Sequence, residues 1–372
     1  MKITCQREKL LAAFQTVAAV VPTRSPKPIL ENVKIEIVDE IATLMATDLE
    51  VGICYEVPGI EVGEPGTVIV SSGRFGSILR ESNDQTIRID ADDRGIAVYG
   101  ERSEFKLPSV DSAEFPPIAK FEETTFVEVP ARLFRELIRR TLFATDNESS
   151  RYALGGILLE LETDRITAVA TDGRRLAKME GPASATEGFT RTADDITIVP
   201  SRAMQLIERS ISDADAEIQI AARANDILVK SQRATVYARL LEGRFPRWRD
   251  VFPGYEGAIK LEMPVAPLHA AVRQAAIVTS EESRGIDFTF TSGSLVLAGS
   301  AADVGQSRIE LPIPYEGEDV TVKLDPRFMS DFLKVLDSDK SFSIELKDGE
   351  SAVLGSTDDG YAYVIMPLAR DR

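Results

Sequence analysis

Hydrophobic and polar residues alternate along this chain in two different patterns, and the patterns follow each other in the same order three times. The first pattern places large apolar residues three or four positions apart, as on one face of an α-helix. It occurs at 7–21, 130–145 and 264–279. Stretches with a period of two follow each helical stretch, as expected for strands with one buried face. A further strand and a second helical stretch then recur at 66–82, 196–211 and 320–336.

This order predicts an α+β fold of three repeated modules, each with two helices and two groups of antiparallel strands. Two stretches that contain Phe-Pro, 111–121 and 242–253, match neither pattern and are interpreted as linkers. The expected modules are therefore 1–122, 123–254 and 255–372.

A short motif also repeats between the first two modules. "MATDLEVG" at 45–52 and "VATDGRRL" at 169–176 place Asp48 and Asp172 at the same point of the repeat. A catalytic role for these aspartates is one interpretation. Their recurrence at one place in a repeat favours a structural turn or cap instead.

The residue inventory leaves few kinds of active site. The chain has 372 residues with one histidine and two cysteines, so it offers no His-rich or Cys/His metal site. His269 lies in a helical apolar pattern, which favours a structural position on a helix face. Neither GxxxxGK[ST] nor GxGxxG occurs, and no cofactor is indicated. A hydrolase or lyase that uses carboxylates alone remains an alternative, because the chain has 60 acidic residues.

The same inventory favours a cytoplasmic protein. Cys5 and Cys54 provide no disulfide framework and are interpreted as small core residues. The apolar run at 10–21 resembles a signal peptide, but Gln15 and Thr16 interrupt it. An amphipathic first helix is therefore the favoured interpretation, and no run is long enough to predict a membrane span.

The distribution of charge is uneven. The net charge of −17 alone argues against nucleic-acid binding. Six helical windows, at 7–24, 73–82, 130–145, 201–212, 264–279 and 326–336, nevertheless hold 14 basic and 5 acidic residues, a net charge of +9, whereas the remainder of the chain carries −26. Glu forms helices as well as Lys and Arg do, so helix propensity does not explain the difference. The segregation favours helices that share one surface facing a polyanion.

A size estimate decides how such helices would surround DNA. With helices about 9 Å apart and about 10 Å wide, six in a circle leave an opening of roughly 7 Å and twelve leave roughly 24 Å. A duplex whose major groove alone is about 12 Å wide fits only the larger opening. We therefore expect two chains arranged head to tail, with module one of each meeting module three of the other.

Over its full length the chain resembles the bacterial sliding clamps, the β subunits of DNA polymerase III. The matching stretches are "PILENV", "ATDLE", "RYALGGILLE", "VATDGRRLA", "GRFPRWRDVFP" and "YVIMPLAR". The resemblance implies a processivity factor and not an enzyme: a homodimeric ring that encircles duplex DNA and slides along it. It also implies peptide-mediated binding of the replicative polymerase, the clamp loader, repair polymerases and mismatch-repair proteins. A monomeric scaffold that binds peptides without touching DNA remains a further interpretation.

The resemblance also implies three sets of site residues. The DNA contacts would be Arg24, Arg80, Arg135, Arg139, Arg202, Arg151 and Tyr152. The partner-peptide pocket would contain Leu154, Thr171, Gly173, Arg174, Arg175, Leu176, Pro246, Val251, Val364, Met366, Pro367 and Leu368. The dimer interface would set Arg74, Phe105 and Leu107 of one chain against Ile277 and Val278 of the other.

Some positions depart from the family pattern. Arg174 stands where the family typically has histidine, which would favour acidic peptides. Ala153 replaces the second tyrosine of the family's "RYY", which would open one wall of the pocket. The third module has few acidic residues around "GSAADVGQS", so we expect apolar contact to contribute more to the dimer.

Overall fold

The structure, a computed structural model, describes residues 1–38, 41–92, 95–108, 110–148, 153–190, 196–254, 257–280 and 284–369. Six α-helices lie in this part of the chain, two in each predicted module. They are α1 (Arg7–Ala18), α2 (Ser72–Glu81), α3 (Ala131–Thr141), α4 (Ser201–Ser210), α5 (Val265–Ala275) and α6 (Pro326–Lys334).

The helices are shorter at their carboxyl ends than the apolar pattern predicts. The first pattern runs to residue 21, but α1 ends at Ala18. The next residues form a tight turn, in which the N–H of Val20 donates to the carbonyl of Val17. Short 3-10 turns follow α3 at Leu142–Ala144 and α5 at Ala276–Val278. The apolar spacing therefore predicted each helix correctly but included the turn after it.

Strands make up most of the remaining described chain. In the first half they are β1 (Lys2–Gln6), β2 (Asn32–Val38), β3 (Ile41–Thr47), β4 (Val51–Val57), β5 (Ile60–Glu64), β6 (Gly66–Ser71), β7 (Thr86–Asp92), β8 (Gly95–Tyr99), β9 (Glu104–Leu107), β10 (Val127–Pro130), β11 (Gly156–Leu161), β12 (Arg165–Thr171), β13 (Arg175–Pro182) and β14 (Ser184–Ala185). In the second half they are β15 (Ile198–Pro200), β16 (Glu217–Ala222), β17 (Asp226–Lys230), β18 (Ala234–Arg239), β19 (Ile259–Pro264), β20 (Ile286–Thr291), β21 (Ser294–Ala301), β22 (Gly305–Pro312), β23 (Val320–Leu324), β24 (Ser341–Leu346), β25 (Val353–Ser356) and β26 (Tyr361–Ile365). The predicted α+β class of repeated helix pairs and antiparallel strands is confirmed.

The chain forms two compact units. The first comprises Met1–Arg135, Leu161–Asp164 and Ala183–Leu241, and the second comprises Glu136–Glu160, Arg165–Pro182 and Glu242–Arg372. The strands of the second predicted module are thus shared between the two units.

In the first unit, one sheet joins strands of two predicted modules. A five-stranded sheet has the order β5-β1-β7-β8-β9, and a nine-stranded sheet has the order β14-β10-β16-β17-β18-β4-β3-β2-β6. Within the larger sheet β18 pairs antiparallel with β4, and Val236 lies opposite Ile53. Helices α1 and α2 pack together through Phe14 and Phe75, whose ring centroids are 5.1 Å apart.

The second unit contains an equivalent join. Strands follow the order β11-β12-β13-β26-β25-β24-β19 in its larger sheet and β22-β21-β20-β23 in its smaller one. Strand β13 pairs antiparallel with β26, and Leu176 lies opposite Val364. The ring of Phe332 on α6 stacks on Tyr363 of β26 with centroids 4.9 Å apart.

Both cysteines occupy the interior positions that the sequence predicts for small core residues. Cys5 is buried and Cys54 is half-buried. Burial raises the pKa of Cys5 to about 12 and that of Cys54 to about 11. Both thiols are therefore protonated at neutral pH and are poor nucleophiles.

Candidate functional site

The two ATD turns have the same hydrogen bonds. Asp48 Oδ1 accepts from the backbone N–H groups two and three residues ahead, at 3.0 and 2.7 Å. Asp172 Oδ1 accepts from the equivalent groups at 2.9 and 3.0 Å. Both aspartates therefore hold a turn, as the sequence predicts.

The turns differ at the residue after the aspartate. Gly173 has a φ of +84° and Leu49 has a φ of +80°. Glycine adopts this left-handed conformation without steric cost, whereas leucine is strained in it. A Cβ built on Gly173 would meet no described atom within 4 Å. The second turn therefore leaves its backbone open to an approaching ligand.

Arg175, which directly follows this turn, is held by several partners in the second unit. Its guanidinium donates to Asp172 Oδ2 at 3.0 Å, to Asp331 Oδ2 at 2.8 Å and to the carbonyl of Phe143 at 2.7 Å. The same group lies 4.4 Å from the ring centroid of Phe328. The side chain is only 10% exposed. Three separate segments of the chain are thus tied together through one arginine.

The electrostatic surroundings keep this guanidinium charged. Burial alone would lower the pKa of Arg175, but Tyr363, Asp331 and Asp172 act in the opposite direction and raise it above its ordinary value. A buried cation with such partners is a rigid anchor. Arg175 therefore positions the surface beside it more than it offers a contact to a ligand.

The β13–β26 join brings several predicted pocket residues together. Arg174 accepts a hydrogen bond at its carbonyl from the N–H of Met366 at 2.9 Å. Leu176 and Val364 are buried, whereas Met366 is 43% exposed. Arg174 and Gly173 are exposed next to them. The carboxyl-terminal segment continues along this surface, where the N–H of Leu368 donates to the carbonyl of Lys323 at 2.8 Å. Pro367 lies between these two residues.

The linker side of the predicted pocket is held by other contacts. Leu154 is buried, and the N–H of the preceding Ala153 donates to the carbonyl of Arg244 at 3.2 Å. Pro246 accepts at its carbonyl from the N–H of Trp248 at 2.7 Å. The indole of Trp248 in turn donates to Glu160 at 3.0 Å. Val251 ends the short turn Trp248–Val251 and is 39% exposed, and Thr171 is buried at the end of β12.

A cleft that the sequence did not predict opens beside Arg174. It has a volume of about 430 Å³. Its lining combines acidic, basic and apolar residues: Thr145, Asp146, Asp172, Arg174, Arg175, Arg327, Phe328 and Asp331. Arg327 is exposed and bonds Asp325, the N-cap of α6, at 2.7 Å. The Asp-Pro-Arg sequence at the start of α6 is a helix-capping signal, and it could have indicated the position of Arg327 from the sequence.

The arginines predicted to contact DNA have different surroundings. Arg24, Arg80 and Arg135 are exposed. Arg139 is 44% exposed and pairs with Glu136 at 2.8 Å. Arg202 pairs with Asp48 at 2.7 Å and donates to the carbonyl of Val20 at 2.9 Å, so part of its charge is compensated.

Two of the predicted DNA-binding residues, Arg151 and Tyr152, lie outside the described residues. Other exposed basic residues on the helices were not among those predicted. They include Arg209 on α4, Arg273 on α5, and Arg327 and Lys334 on α6. Aligning the helices of the repeat could have found them.

The residues predicted for a dimer interface lie near the edge strands of two sheets. Phe105 on β9 is 39% exposed and Leu107 is half-buried, with Arg74 exposed at the start of α2. In the second unit Ile277 is 74% exposed and Val278 is half-buried, after α5. Among the described residues, β9 and β22 are each the last strand of their sheet.

In the part of the chain that the structure describes, no group of three or more His, Cys, Asp or Glu side chains is arranged to hold a metal ion. None of the described helices combines the length and apolarity that crossing a membrane requires.

Comparison with known proteins identifies relatives along the whole chain. Residues 1–120, 128–247 and 249–369 match the N-terminal, central and C-terminal domains of the DNA polymerase III beta subunit. The beta sliding clamp of Chlamydia pneumoniae is 29% identical over 369 residues, which cover 99% of each chain. The crystal structure of the Pseudomonas aeruginosa sliding clamp bound to griselimycin has a TM-score of 0.89 at 28% identity and covers both chains completely. The Bacillus subtilis sliding clamp, at 22% identity, shares the fold with a TM-score of 0.90 over both full chains.

Proposed function

The chain belongs to the DNA polymerase III β-subunit family, the bacterial sliding clamps, and on this premise we propose that two copies close a ring around duplex DNA and tether partner proteins to it. As a member of this family the chain is a DNA polymerase processivity factor and not an enzyme. The proposal concerns how it forms the ring, where it contacts DNA and where it binds its partners.

The proposed ring is built from modules 1–122, 123–254 and 255–372 of each chain. The three family matches support this division, because each begins and ends within seven residues of the bounds of one module. The two free thiols suit a cytoplasmic location, which is part of the proposal.

The observation that carries the proposal is the repeated way in which sheets continue between modules. The last strand of one module pairs with the strand that follows the ATD turn of the preceding module. These pairs are β18 with β4 in the first unit and β26 with β13 in the second. The last strand of the first module is β9, and the strand of the third module that corresponds to β4 and β13 is β22. A strand at a sheet edge is a template for pairing. Pairing β9 with β22 of a second copy would repeat the same join twice and close a symmetric ring.

The repeat also predicts the register of this pairing. Phe105 takes the place of Val236, because β9 pairs with β8 as β18 pairs with β17. Val236 lies opposite Ile53, the third residue of β4. The third residue of β22 is Ser307. The proposed join therefore sets Phe105 of one copy opposite Ser307 of the other.

The neighbouring residues support this register. Ser307 donates to the carbonyl of Ala275 at 3.0 Å, so it faces the end of α5, near the exposed Ile277. Phe105 would thus contact the apolar corner that the resemblance implies. The next pair in the same register is Glu104 with Arg308, both exposed and of opposite charge.

A charge-reversal experiment tests the register. Glu104→Arg or Arg308→Glu places like charges opposite each other, which costs about 0.5–1 kcal/mol per join and weakens a dimer with two joins about tenfold. The double variant restores the opposite charges and should recover the affinity, measured by analytical ultracentrifugation. Glu162→Arg changes an exposed charge elsewhere and serves as the control. A double variant that dimerises more weakly than either single variant contradicts the register.

For DNA we propose contacts without base readout, made by the exposed helix arginines and Arg24, and by Arg151 and Tyr152. Loose phosphate contacts allow a ring to slide, and the ring itself prevents dissociation. Loading the protein with its cognate loader on nicked circular duplex, followed by linearisation, tests this. Retention on circles and loss from linear DNA is expected. Equal retention on both forms contradicts topological binding.

The proposed partner site is the surface at Gly173, Arg174 and Met366, which lies over the buried Leu176 and Val364, together with the linker residues. Methionine adapts to related apolar peptides, and an open glycine backbone lets a peptide approach closely. The exposed Arg174 favours peptides with an acidic residue. We expect Arg174→Glu to weaken an acidic apolar peptide more than its neutral analogue, measured by fluorescence anisotropy. Equal weakening of both peptides would contradict the charge preference but not the groove.

A further inference from the structure

The two helices of the third module run antiparallel, since the N–H of Val265 at the start of α5 donates to the carbonyl of Lys340 beyond α6, and they bring polar side chains together at one contact with a cation one turn away on either side. His269 Nε2 on α5 lies 3.1 Å from Ser330 Oγ on α6. Arg273 and Lys334 each lie four residues further along the same helices, and thus on the same faces one turn away. Arg273 is exposed, and the side chain of Lys334 is 60% exposed. The imidazole is therefore adjacent to a pair of accessible cations.

The repeat relates this cluster to the arginines proposed to contact DNA. When the first residues of α3 and α5 are aligned, their fully buried positions coincide at the first, fourth, seventh, eighth and eleventh residues. The alignment places His269 at the position of Arg135 and Arg273 at the position of Arg139. The third module thus carries a titratable residue where the second carries a permanently charged one.

The surroundings keep the imidazole neutral when no ligand is present. Burial lowers the pKa of His269, and the positive charges of Arg273 and Lys334 lower it further. The carboxylate of Asp331 on α6 is already paired with Arg175 at 2.8 Å and with Lys334 at 3.6 Å.

The strands packed against α5 present uncharged residues to it. Met263 on β19 is buried, a Cβ on Gly299 of β21 would meet the carbonyl of Ala275 at 2.9 Å, and Ser307 of β22 bonds that carbonyl. Arg273 and Lys334 are therefore the charges that act on the ring.

We propose that His269, Arg273 and Lys334 form a phosphate-binding site for the DNA backbone, at which binding of DNA is coupled to protonation of the imidazole. A backbone phosphate between the two cations offsets their repulsion of the imidazolium and accepts a hydrogen bond from it. This inference rests on the proposed function, since it requires that these helices face DNA. Its consequence is that DNA affinity rises as the pH falls.

The chain is well suited to a direct test because His269 is its only histidine. The imidazole signal of the selectively labelled full-length protein can be followed by NMR across a pH titration, with and without a short DNA duplex of arbitrary sequence. We expect the duplex to raise the pKa of His269. A rise of one unit corresponds to about tenfold tighter binding of the protonated form.

Two variants separate a phosphate contact from a structural role. His269→Gln should bind the duplex more weakly and lose the part of the pH dependence that begins below the ordinary histidine pKa of about 6.5 and ends at the raised pKa of the bound state. His269→Arg, which copies the second module, should bind tightly and without that pH dependence. Thermal unfolding checks that both variants fold like the parent protein. If His269 only supports packing, His269→Arg should not bind the duplex more tightly than His269→Gln.

The outcomes distinguish this inference from the proposed function. A duplex that binds without moving the pKa of His269 overturns the inference, and so does a pH dependence that survives in His269→Gln. Failure of the duplex to bind any variant also contradicts it. Retention on circular but not linear DNA would uphold the proposed ring in each of these cases, whereas loss of that retention would contradict the ring itself.

Discussion

Replacing Arg175 tests how strongly the burial of an arginine determines what its hydrogen bonds and ion pairs contribute to the stability of β13. Arg175→Ala removes three hydrogen bonds of 2.7 to 3.0 Å and leaves Asp172, Asp331 and the carbonyl of Phe143 without this partner. Removing one partner from a buried ion pair typically costs 3–5 kcal/mol. Because Asp331 is 31% exposed, water compensates part of the loss. We therefore expect a local destabilisation of about 3 kcal/mol.

Arg202 provides a matched control in the first unit. It also bonds the aspartate of an ATD turn, Asp48, and a carbonyl that follows a helix, that of Val20. Its side chain is 54% exposed, however, whereas that of Arg175 is 10% exposed. Exposed ion pairs contribute about 0–1 kcal/mol, so Arg202→Ala should have a small effect.

Hydrogen exchange of the full-length protein measures both effects where they occur. In Arg175→Ala, amides shared between β13 and β26 should exchange about 100-fold faster, which corresponds to about 3 kcal/mol. In Arg202→Ala, amides shared between β4 and β18 should exchange less than about tenfold faster. Arg175→Lys should be intermediate, because a single ammonium cannot reach all three acceptors. Equal effects of the two alanine variants would refute the argument from burial.

Three further predictions concern stability. Leu49→Gly should raise the stability of the first unit by up to about 1 kcal/mol, because glycine adopts the left-handed backbone conformation of this position without strain. Gly173→Leu should lower the stability of the second unit by a similar amount. Thermal unfolding of both variants checks this, and changes of the same sign would contradict it. Gly355→Ala should cost about 1–3 kcal/mol because its Cβ would lie 2.7 Å from the Phe332 ring. Gly73→Ala, at an exposed position of α2 where the Cβ would meet no described atom within 4 Å, should cost nothing; equal urea midpoints would exclude the clash. Burial raises the pKa of Asp359, but hydrogen bonds from Thr357 and Arg140 outweigh it, and the pKa is lowered overall. The contribution of Asp359 to stability is therefore present at neutral pH and lost as the pH falls below the ordinary aspartate range. Asp359→Asn should make the free energy of unfolding less dependent on pH in acid, and an unchanged dependence would contradict the assignment.

Local sequence patterns were sufficient to predict the helix pairs, the strand-rich segments between them and the structural role of the ATD aspartates. These features depend on short-range chemistry: the spacing of apolar residues determines which face of a helix is buried, and an aspartate accepts bonds from N–H groups two and three residues ahead. The three-fold repeat and the family motifs then pointed to a sliding clamp. The pattern was less accurate at helix ends, because apolar residues such as Val20 remain buried in the turn after the helix.

Tertiary structure alone decided which distant segments meet. A strand pattern predicts one buried face but carries no information about the neighbouring strand, so the β18–β4 and β13–β26 joins could not be predicted from it. Apart from Asp172 in the same turn, the partners of Arg175 come from residues 143, 328 and 331, and no local rule connects these positions to it. Likewise, His269 looked like an ordinary helix-face residue until α6 placed Ser330 beside it and Lys334 one turn further on. Side chains far apart in sequence acquire a shared electrostatic environment only through packing. That environment determines the chemistry at Arg175 and at His269.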